Sequence, residues 1–416
     1  MPEPDREAPI VLVEYQNSAP IYLRQKERES LRALVPGIAI VGVEGSPDLY
    51  RVNPGGKVGA VQIEEKRLVI RPKIGIRRLL FLLSYSMGPT RWHDIDFNFA
   101  DDDDLLEALI PGFAFQLENA LRHGLRSDYR SEEAALTTVR GRIRVADQIR
   151  AHFGAMPPFE CTYDEFTDDI LMNRLLKAAI ARLGAIRIRD RRSRARLRAL
   201  SFAFSNVDLV PFDPDHVPEV RYDRLNAHFH GPVEFARLIL RSRSHDADAG
   251  RVAGASFLVD LADVFEDFVV TALREALRLS THTFPQGSQG RHIYLDAQHK
   301  LRLLPDLSWW VGDRCVFVGD VKYKKTPSMA GARHPDLYQA LAYTTSTKLP
   351  AGLLIYAAGE EVAQTIDIPS AGKAIEVATL ELDRQPDEVF ERIRDIADIV
   401  RRQASAHLAP PMAFAV

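Results

Sequence analysis

The sequence predicts a mixed α/β (α+β) protein with more than one domain. Its 416 residues allow two or three domains, at roughly 150 residues per domain. Short alternating apolar runs dominate the start of the chain, and helical periodicity dominates the middle. The last part runs from a helix through antiparallel strands to a helix and a strand. We therefore expect a β-rich region over 1–100, a mostly helical region with basic segments over 101–250, and an α/β domain over 251–416.

The composition narrows the class of protein. Apolar residues make up 46% and charged residues 27% of the chain, which excludes wholesale disorder and a collagen-like repeat. The two cysteines, Cys161 and Cys315, lie far apart without a C-x-x-C pair, which argues against a structural zinc site and a disulfide scaffold. No signal peptide opens the sequence, and the longest uncharged apolar run, near 349–359, is too short to span a bilayer. We expect a cytoplasmic protein with no membrane partner.

In the first region, β-branched and apolar residues cluster between turn signals, which predicts strands. Gly55-Gly56 marks one turn, and Gly88-Pro89 ends a segment of helical periodicity. The predicted elements are strands over 10–14, 38–43, 58–63 and 68–70, followed by a helix over 76–87.

In the middle region, apolar residues recur at helical spacing in several segments. Three prolines, Pro211, Pro214 and Pro218, break this pattern. Small and polar residues over 245–254 predict the linker to the last domain. The predicted helices are 105–126, 164–183, 191–204 and 231–241.

The last region begins with a long amphipathic helix and ends with a charged one. Gly312-Asp313 is placed to form a hairpin turn between two strands. The predicted helices are 257–279, 336–345 and 386–407, and the predicted strands are 293–295, 301–311, 315–322, 353–357 and 375–380.

The strongest chemical signal lies on this hairpin. Asp320 and Lys322 are two apart on a strand, so their side chains point to the same face. The hairpin brings Asp306, which follows Pro305, beside Asp320 on the neighbouring strand. Two converging carboxylates and the carbonyl of Val321 make an oxygen-rich site for Mg²⁺, with Mn²⁺ as an alternative ion. Such an ion activates water at a phosphodiester, and Lys322 adds a charge-stabilising cation.

The D/E-x-K tripeptide is weak evidence by itself, because a second copy, Glu64-Glu65-Lys66, occurs by chance in a turn-rich stretch. Only the first copy ends an apolar strand and follows Pro-Asp at hairpin distance. Glu266 lies in an apolar helix before the strands, where it either points into the site or faces water. Gln339 and Tyr343 share a helix face at i, i+4 and serve either the site or helix–sheet packing.

The order of these residues resembles the PD-(D/E)xK nuclease superfamily, and its final Gln339-x-x-x-Tyr343 element is similar to the RecB-like branch. The flanking sequence segments resemble those of the McrC family, the nuclease subunits of McrBC modification-dependent (type IV) restriction systems. The resemblance runs from about residue 60 to about residue 360. It includes Arg71-Pro72-Lys73-Ile74-Gly75, Arg140-Gly141-Arg142-Ile143, Cys161-Thr162-Tyr163-Asp164-Glu165, Asn173-Arg174-Leu175-Leu176-Lys177, Asp320-Val321-Lys322-Tyr323-Lys324 and Asp336-Leu337-Tyr338-Gln339.

The resemblance implies a PD-(D/E)xK restriction-endonuclease-like domain over 251–416 that hydrolyses DNA. It implies that Asp306 and Asp320 are the metal ligands, that Lys322 is the catalytic lysine and that Glu266 is an accessory acid. Gln339 would position DNA or the metal site. A site that cuts one strand needs a second copy for a double-strand break. We therefore expect a monomer or weak dimer in isolation and a larger assembly with the partner.

The resemblance also implies a partner, a McrB-like AAA+ NTPase ring that recognises modified DNA and binds GTP or ATP. The N-terminal part of the chain would dock on that ring and stimulate it. The sequence agrees with this division of labour, because it holds no G-x-x-x-x-G-K-[S/T] phosphate-binding loop. Val58 follows Gly56-Lys57, and Ala374 follows Gly372-Lys373.

Two groups of arginines are candidates for polyanion or partner contact. Arg140, Arg142 and Arg144 alternate on a predicted strand and would form a basic stripe that contacts the partner or DNA. Residues 181–200 hold eight arginines against one acid, Asp190. In this segment we assign Arg189, Arg192 and Arg196 to the DNA backbone, with a solvated surface helix as the alternative.

Two alternatives to the partnered nuclease stay open at this stage. One is a stand-alone PD-(D/E)xK nuclease that binds DNA through its own arginine-rich middle region. The other is a catalytically silent regulator of the AAA+ partner, against which the intact Asp306, Asp320 and Lys322 argue.

Overall fold

A computed structural model describes residues 9–63, 66–87, 105–185, 188, 190–241, 254–287, 291–325, 334–358 and 364–408. Within these residues the helices are α1 (Gln25–Leu34), α2 (Ile76–Met87), α3 (Leu105–Leu121), α4 (Val145–His152), α5 (Leu171–Gly184), α6 (Arg191–Ala203), α7 (His230–Arg241), α8 (Leu261–Leu277), α9 (His334–Thr347) and α10 (Pro386–Leu408).

The strands are short, apart from one in the C-terminal sheet. They are β1 (Ile10–Val13), β2 (Ile21–Tyr22), β3 (Ala39–Val43), β4 (Ser46–Asn53), β5 (Lys57–Ile63), β6 (Lys66–Arg71), β7 (Asp128–Leu136), β8 (Arg142–Ile143), β9 (Phe159–Thr167), β10 (Gly254–Asp260), β11 (Ile293–Tyr294), β12 (Arg302–Leu303), β13 (Leu307–Val311), β14 (Arg314–Lys325), β15 (Ala351–Ala358), β16 (Gln364–Ile368) and β17 (Lys373–Thr379).

These strands form separate sheets, which confirms the predicted mixed α/β fold class. The N-terminal strands contribute to a sheet of order β1-β6-β5-β10 and to a second of order β2-β4-β3. The middle of the chain adds the sheet β7-β9-β8 among helices, and the C-terminal part adds β11-β12 and β13-β14-β15-β17-β16. Among the described residues, no helix combines the length and the apolar character needed to cross a membrane.

The chain divides into two compact units. The described residues of one unit fall within 60–67 and 105–257, and those of the other fall within 8–59, 68–104 and 258–416. The three-region division remains a prediction, although most of its first region and its last region share the second unit. Aromatic rings explain that association: Phe81 and Tyr85 of α2 contact Phe268 of α8 and Phe390 of α10, with ring centroids 4.8–5.7 Å apart.

The five-stranded sheet of the second unit is built around β14 and β15. β14 pairs antiparallel with β13 and parallel with β15, and β15 pairs parallel with β17. A parallel pair needs a crossover, which here includes α9. One face of the sheet buries Leu354, Tyr356, Ile375 and Val377 against Ala340 of α9. The predicted turn between β13 and β14 is confirmed, and Gly312 there has φ +59°, a left-handed conformation that favours glycine.

Several predicted elements needed correction. Residues 164–167 belong to β9 rather than to a helix, because β9 pairs along its whole length with β7 and the helix begins only at Leu171. Likewise Phe257 lies in β10, and α8 starts after Asp260, whose carboxylate caps the helix by accepting a hydrogen bond from the Ala262 N–H. Helix α3 ends five residues before the predicted Arg126, and the predicted strand 301–311 is two strands.

Some elements of the structure were not predicted, and one predicted segment lies mostly outside the described residues. Helices α1 and α4 and strands β7 and β16 were not predicted, because their apolar residues are few and give no clear period. Most of the predicted linker 245–254 lies outside the described residues, and Gly254 begins β10.

Replacing Leu354 by alanine tests the core of this sheet. Leu354 is fully buried in β15, so Leu354→Ala should lower the free energy of unfolding by about 2–5 kcal/mol, through lost burial and a residual cavity. Urea denaturation measures the loss. Leu301→Ala, at an exposed position, is the control and should change stability by less than about 0.5 kcal/mol; equal effects would contradict the packing described here.

Candidate active site

The β13–β14 hairpin brings Asp306 and Asp320 together as predicted. Leu307 lies opposite Gly319 in the antiparallel register, so the residue before β13 comes beside the residue after Gly319. The N–H of Val321 donates a hydrogen bond of 2.8 Å to Asp306 Oδ2. Because the N–H and C=O of one strand residue point to the same neighbour, the carbonyl of Val321 is directed to this side as well.

Asp320 is fully buried and forms an ion pair with Lys322. Lys322 Nζ contacts Asp320 Oδ2, whereas Asp320 Oδ1 has no hydrogen-bond partner in the described part of the chain. A buried carboxylate oxygen without a donor is costly unless a cation or another donor meets it. Asp320 therefore has a free oxygen that suits a cation.

Glu266 of α8 lies beside this pair, and Gln286 holds it there. Gln286 Nε2 donates to Glu266 Oε1 at 3.3 Å and also to Asp267 Oδ1. The backbone of Gln286 forms a bridge with Leu307 at the start of β13. No local sequence pattern indicates Gln286, because its role depends on the chain passing the start of β13.

The electrostatics of the site follow from burial of several carboxylates together. Burial, reinforced by Asp306, raises the pKa of Asp320 to about 7. Burial, reinforced by the neighbouring acids, raises the pKa of Glu266 to about 7. The pKa of Asp306 is also raised, by burial and then by Glu266. Burial lowers the pKa of Lys322, but Asp320 and Asp306 raise it by more, so Lys322 stays charged.

The carboxyl groups of Asp306 and Asp320 thus share one ammonium group while Glu266 adds a further acid beside them, a balance that favours a further cation. The described residues contain no group of three His, Cys, Asp or Glu side chains that could hold a metal ion. The predicted set of two aspartates and a backbone carbonyl offers the oxygen donors that Mg²⁺ prefers, and its role as a metal site remains a prediction. The partnerless Oδ1 of Asp320 is the observation that supports this fit.

Gln339 and Tyr343 form a hydrogen-bonded chain on α9. Gln339 Nε2 donates to Tyr343 Oη at 2.6 Å, and Tyr343 Oη donates to the Leu304 carbonyl at 3.0 Å. Tyr343 also packs in a core cluster with Val318 and Trp310. Tyr343 therefore serves helix–sheet packing, as the alternative interpretation predicted. Its hydroxyl also holds the segment before Asp306 through the Leu304 carbonyl.

Two further hydrogen-bond networks hold β14 in place, and neither was predicted from the sequence. Lys324 Nζ donates to Asp336 Oδ1 at 2.8 Å, and Tyr356 Oη donates to the other Asp336 oxygen at 2.7 Å. Asp336 is buried, so this network fixes the start of α9 against β14 and β15. The sequence signal that could have indicated this network is Lys324, because it lies two positions after Lys322 and on the same face of the strand.

The other network reaches β14 from the N-terminal part of the same unit. Glu14, just after β1, is fully buried and accepts hydrogen bonds from Tyr323 Oη at 3.0 Å and from the Lys73 N–H at 2.6 Å. Tyr323 also contacts the ring of Phe265 on α8. Glu14 and Tyr323, more than 300 positions apart, therefore meet beside Lys322. No local sequence pattern indicates this contact.

The prediction that Arg140, Arg142 and Arg144 alternate on one strand is wrong. The strand is only Arg142–Ile143, since Gly141 has φ +67° and a Cβ there would lie 2.3 Å from the Thr162 carbonyl oxygen. The guanidinium of Arg140 lies 4.2 Å from the Tyr163 ring centroid. Arg144 instead occupies the N-cap position of α4 and pairs with the acids Glu133, Asp147 and Glu160 at 2.6–3.0 Å.

The arginines predicted to contact DNA are also separated by the structure. Arg189 lies outside the described residues. Arg192 is exposed on α6, whereas Arg196 forms a two-pronged ion pair with Glu118 of α3 at 2.6 and 2.8 Å. Arg196 is therefore engaged inside its own unit, and a role for Arg192 in DNA contact remains a prediction.

The raised pKa of Asp320 predicts how stability depends on pH. The folded protein holds this proton up to about pH 7, whereas the unfolded chain releases it near the ordinary value, so the contribution is present at low pH and lost as pH rises through about 7. The metal-free protein should therefore lose stability between about pH 4 and about pH 7, by up to about 1.4 kcal/mol per pH unit, and change little from there to pH 8.

Urea denaturation in EDTA between about pH 5 and pH 8 measures this effect. Asp320→Asn carries no titrating carboxyl, so its stability relative to wild type should rise with pH. Asp313→Asn, on the exposed hairpin turn, is the matched control and should follow wild type. Parallel profiles for Asp320→Asn and wild type would show that Asp320 ionises normally.

Comparison with known proteins agrees with the family resemblance seen in the sequence. No curated protein matches the chain. A chain of a half-complex from the tetradecameric assembly of Thermococcus gammatolerans McrB AAA+ hexamers with bound McrC superposes with a TM-score of 0.56 at 16% identity, covering 94% of this chain and 100% of that chain. A chain of the cryo-EM Thermococcus gammatolerans McrBC complex gives a TM-score of 0.41 at 21% identity, over 65% of this chain and 88% of that chain.

The first of these likenesses shows a shared fold. The family model for the McrBC 5-methylcytosine restriction system component matches residues 52–357. This match covers well over half of the chain and contains the β13–β14 hairpin. The protein therefore belongs to the family of McrBC 5-methylcytosine restriction system components.

Proposed function

We propose that this protein is the Mg²⁺-dependent DNA endonuclease subunit of a McrBC-like restriction complex. The observation that carries the proposal is the convergence of Asp306, buried Asp320 and Lys322 at the open end of the β13–β14 hairpin. Carboxylates that converge beside a lysine are suited to metal-assisted hydrolysis of a phosphodiester, in which water attacks phosphorus and one P–O ester bond breaks.

Each residue has a distinct part in this proposal. Asp306 and Asp320 hold the ion, with the Val321 carbonyl as a third oxygen donor. When bound, Mg²⁺ supplies a Lewis acid that lowers the pKa of water and offsets charge on the phosphate. Lys322 remains protonated beside Asp320 and stabilises the negative charge that develops on the phosphate. Glu266, whose pKa is about 7, is placed to accept a proton near neutral pH.

The proposal includes a partner, because the structurally similar chain comes from an assembly of McrB AAA+ hexamers with bound McrC. An exposed apolar face supports a protein partner for this chain. Val145 and Ile149 on α4 and Phe153 just after it follow i, i+4, i+8 spacing, and Phe153 is 95% exposed. Met156, which follows in the chain, is exposed as well. Exposed large apolar side chains of this kind mark an interaction surface, and we assign them to the AAA+ ring.

Substitution of Asp320 tests the nuclease proposal. With Mg²⁺, the AAA+ subunit and its nucleotide, wild type should cleave modified DNA, and Asp320→Asn should lose at least about 100–1,000-fold in rate. Lys322→Met should also lose most of the activity. Asp313→Asn, an exposed acid on the same hairpin, should cleave at the wild-type rate. Cleavage is measured on a fluorescent duplex, with folding checked by circular dichroism.

The same assay separates the alternatives. Cleavage by the chain alone, lost in Asp320→Asn, would favour the stand-alone nuclease. Stimulated nucleotide hydrolysis by the AAA+ subunit without any cleavage would favour the silent regulator. Cleavage that persists in Asp320→Asn would contradict the assignment of the site.

The apolar face of α4 gives a separate prediction for the partner. Ile149→Ser with Phe153→Ser should weaken binding to the AAA+ ring at least about tenfold, because burying two large apolar side chains contributes a few kcal/mol. Binding is measured by interferometry on the immobilised ring with nucleotide present. Leu225→Ser, at another exposed apolar position, should bind as wild type. Unchanged binding by the double variant would place the docking surface elsewhere.

A further inference from the structure

One face of α6 carries a row of arginines that the catalytic site does not use. Arg191, Arg194 and Arg198, here called the arginine stripe, are all exposed and recur at i, i+3, i+7. On a helix these positions lie within about 60° of one another. The opposite side of the helix is buried through Ser193, Leu197 and Leu200, so the stripe points away from the unit's core.

The stripe differs from Arg196 in having no acidic partner among the described residues. Arg196, about half a turn around the helix, is paired with Glu118. In the described residues, none of the three stripe guanidinium groups forms an ion pair or hydrogen bond with another residue. Asp190, the N-cap of the helix, accepts hydrogen bonds from the backbone N–H groups of Arg192 and Ser193. Three uncompensated positive charges therefore remain available to a ligand.

The shape of the surface indicates the kind of ligand. The stripe and Ala195 line an open groove of about 380 Å³. An enclosed cavity suits a small molecule, whereas a groove bordered by one helix and open to solvent suits an extended chain. Seven residues of helix span about 10 Å, which matches about three phosphate-to-phosphate steps along one DNA strand at about 3.4 Å of rise each. The small side chain of Ala195 leaves room for the chain between the guanidinium groups.

A second feature of the same face supports a nucleic acid. Phe202 lies one turn beyond Arg198 and is 81% exposed, which is unusual for a large apolar residue. Sugars and bases offer an apolar surface to such a ring, whereas a free phosphate ion does not. Arginine also binds phosphate oxygens with two parallel hydrogen bonds, which lysine cannot do.

We propose that the arginine stripe binds the sugar-phosphate backbone of the DNA substrate. This site replaces the predicted set of Arg189, Arg192 and Arg196 by three different arginines of the same segment. The proposal rests on the proposed nuclease function for the identity of the polyanion as DNA. It does not require the catalytic residues, so binding and cleavage are tested independently.

The test replaces the whole stripe by serine in the full-length chain. Binding to a fluorescent DNA duplex is followed by anisotropy in EDTA, so that no cleavage occurs, from about 50 mM to about 200 mM salt. Each phosphate contact contributes about 0.9 to the slope of log affinity against log salt. The triple variant should lose about 2–3 from this slope and bind at least about tenfold more weakly at the lower salt.

A matched control removes the same number of positive charges elsewhere. Exposed basic residues in the other unit serve for this purpose, namely Lys26, Arg32 and Arg394, each replaced by serine. This control variant should keep the wild-type slope and affinity. If both triple variants lose the same affinity, the effect is general charge and the stripe is not a binding site.

Other outcomes are equally decisive. Wild-type affinity and slope in the stripe variant would overturn the proposal. Intact DNA binding with lost binding to the AAA+ ring would overturn it as well and assign the stripe to an acidic protein surface. Binding in EDTA and cleavage with Mg²⁺ separate the two proposals, because binding does not require the catalytic residues. If the stripe variant loses binding while wild type never cleaves, the DNA site stands and the nuclease proposal fails.

Discussion

The carboxylate of Asp320 is buried in the middle of a sheet, where an ionised acid without compensation is strongly unfavourable. Lys322 offsets part of that cost from two positions along the same strand. Asp306 adds a second negative charge and is itself held by the Val321 N–H. The hairpin therefore keeps acids close together whose burial, reinforced by their mutual repulsion, raises their pKa values, and a bound cation would relieve that repulsion.

Such an arrangement persists only if the backbone around it is held firmly. β14 is hydrogen-bonded on both sides, to β13 and to β15, so Asp320 cannot turn outward without breaking the sheet. Tyr343 holds the segment before Asp306 through the Leu304 carbonyl, and Glu14 holds Tyr323 on the opposite face of the strand. The position of each acid is thus set by neighbours that take no part in the chemistry.

The candidate site was predictable where it depends on strand geometry. Alternation along a strand places Asp320 and Lys322 on one face, and a glycine turn places Asp306 beside them. Both statements need only the local sequence. The arginine-rich segment was also predictable as a helix, since α6 begins at Arg191 as expected. Which of its arginines are free was not predictable, because Arg196 is neutralised by Glu118 from a different helix.

The sequence by itself determined the family, the mixed α/β class and the residues of the β13–β14 hairpin, because these depend on patterns within a few dozen residues. Tertiary structure alone decided that Gln286 holds Glu266 and that Glu14 meets Tyr323. It also decided that the strand carrying Arg142 is only two residues long. These features depend on contacts between distant parts of the chain, whose partners are chosen by packing and burial of the whole unit rather than by local periodicity.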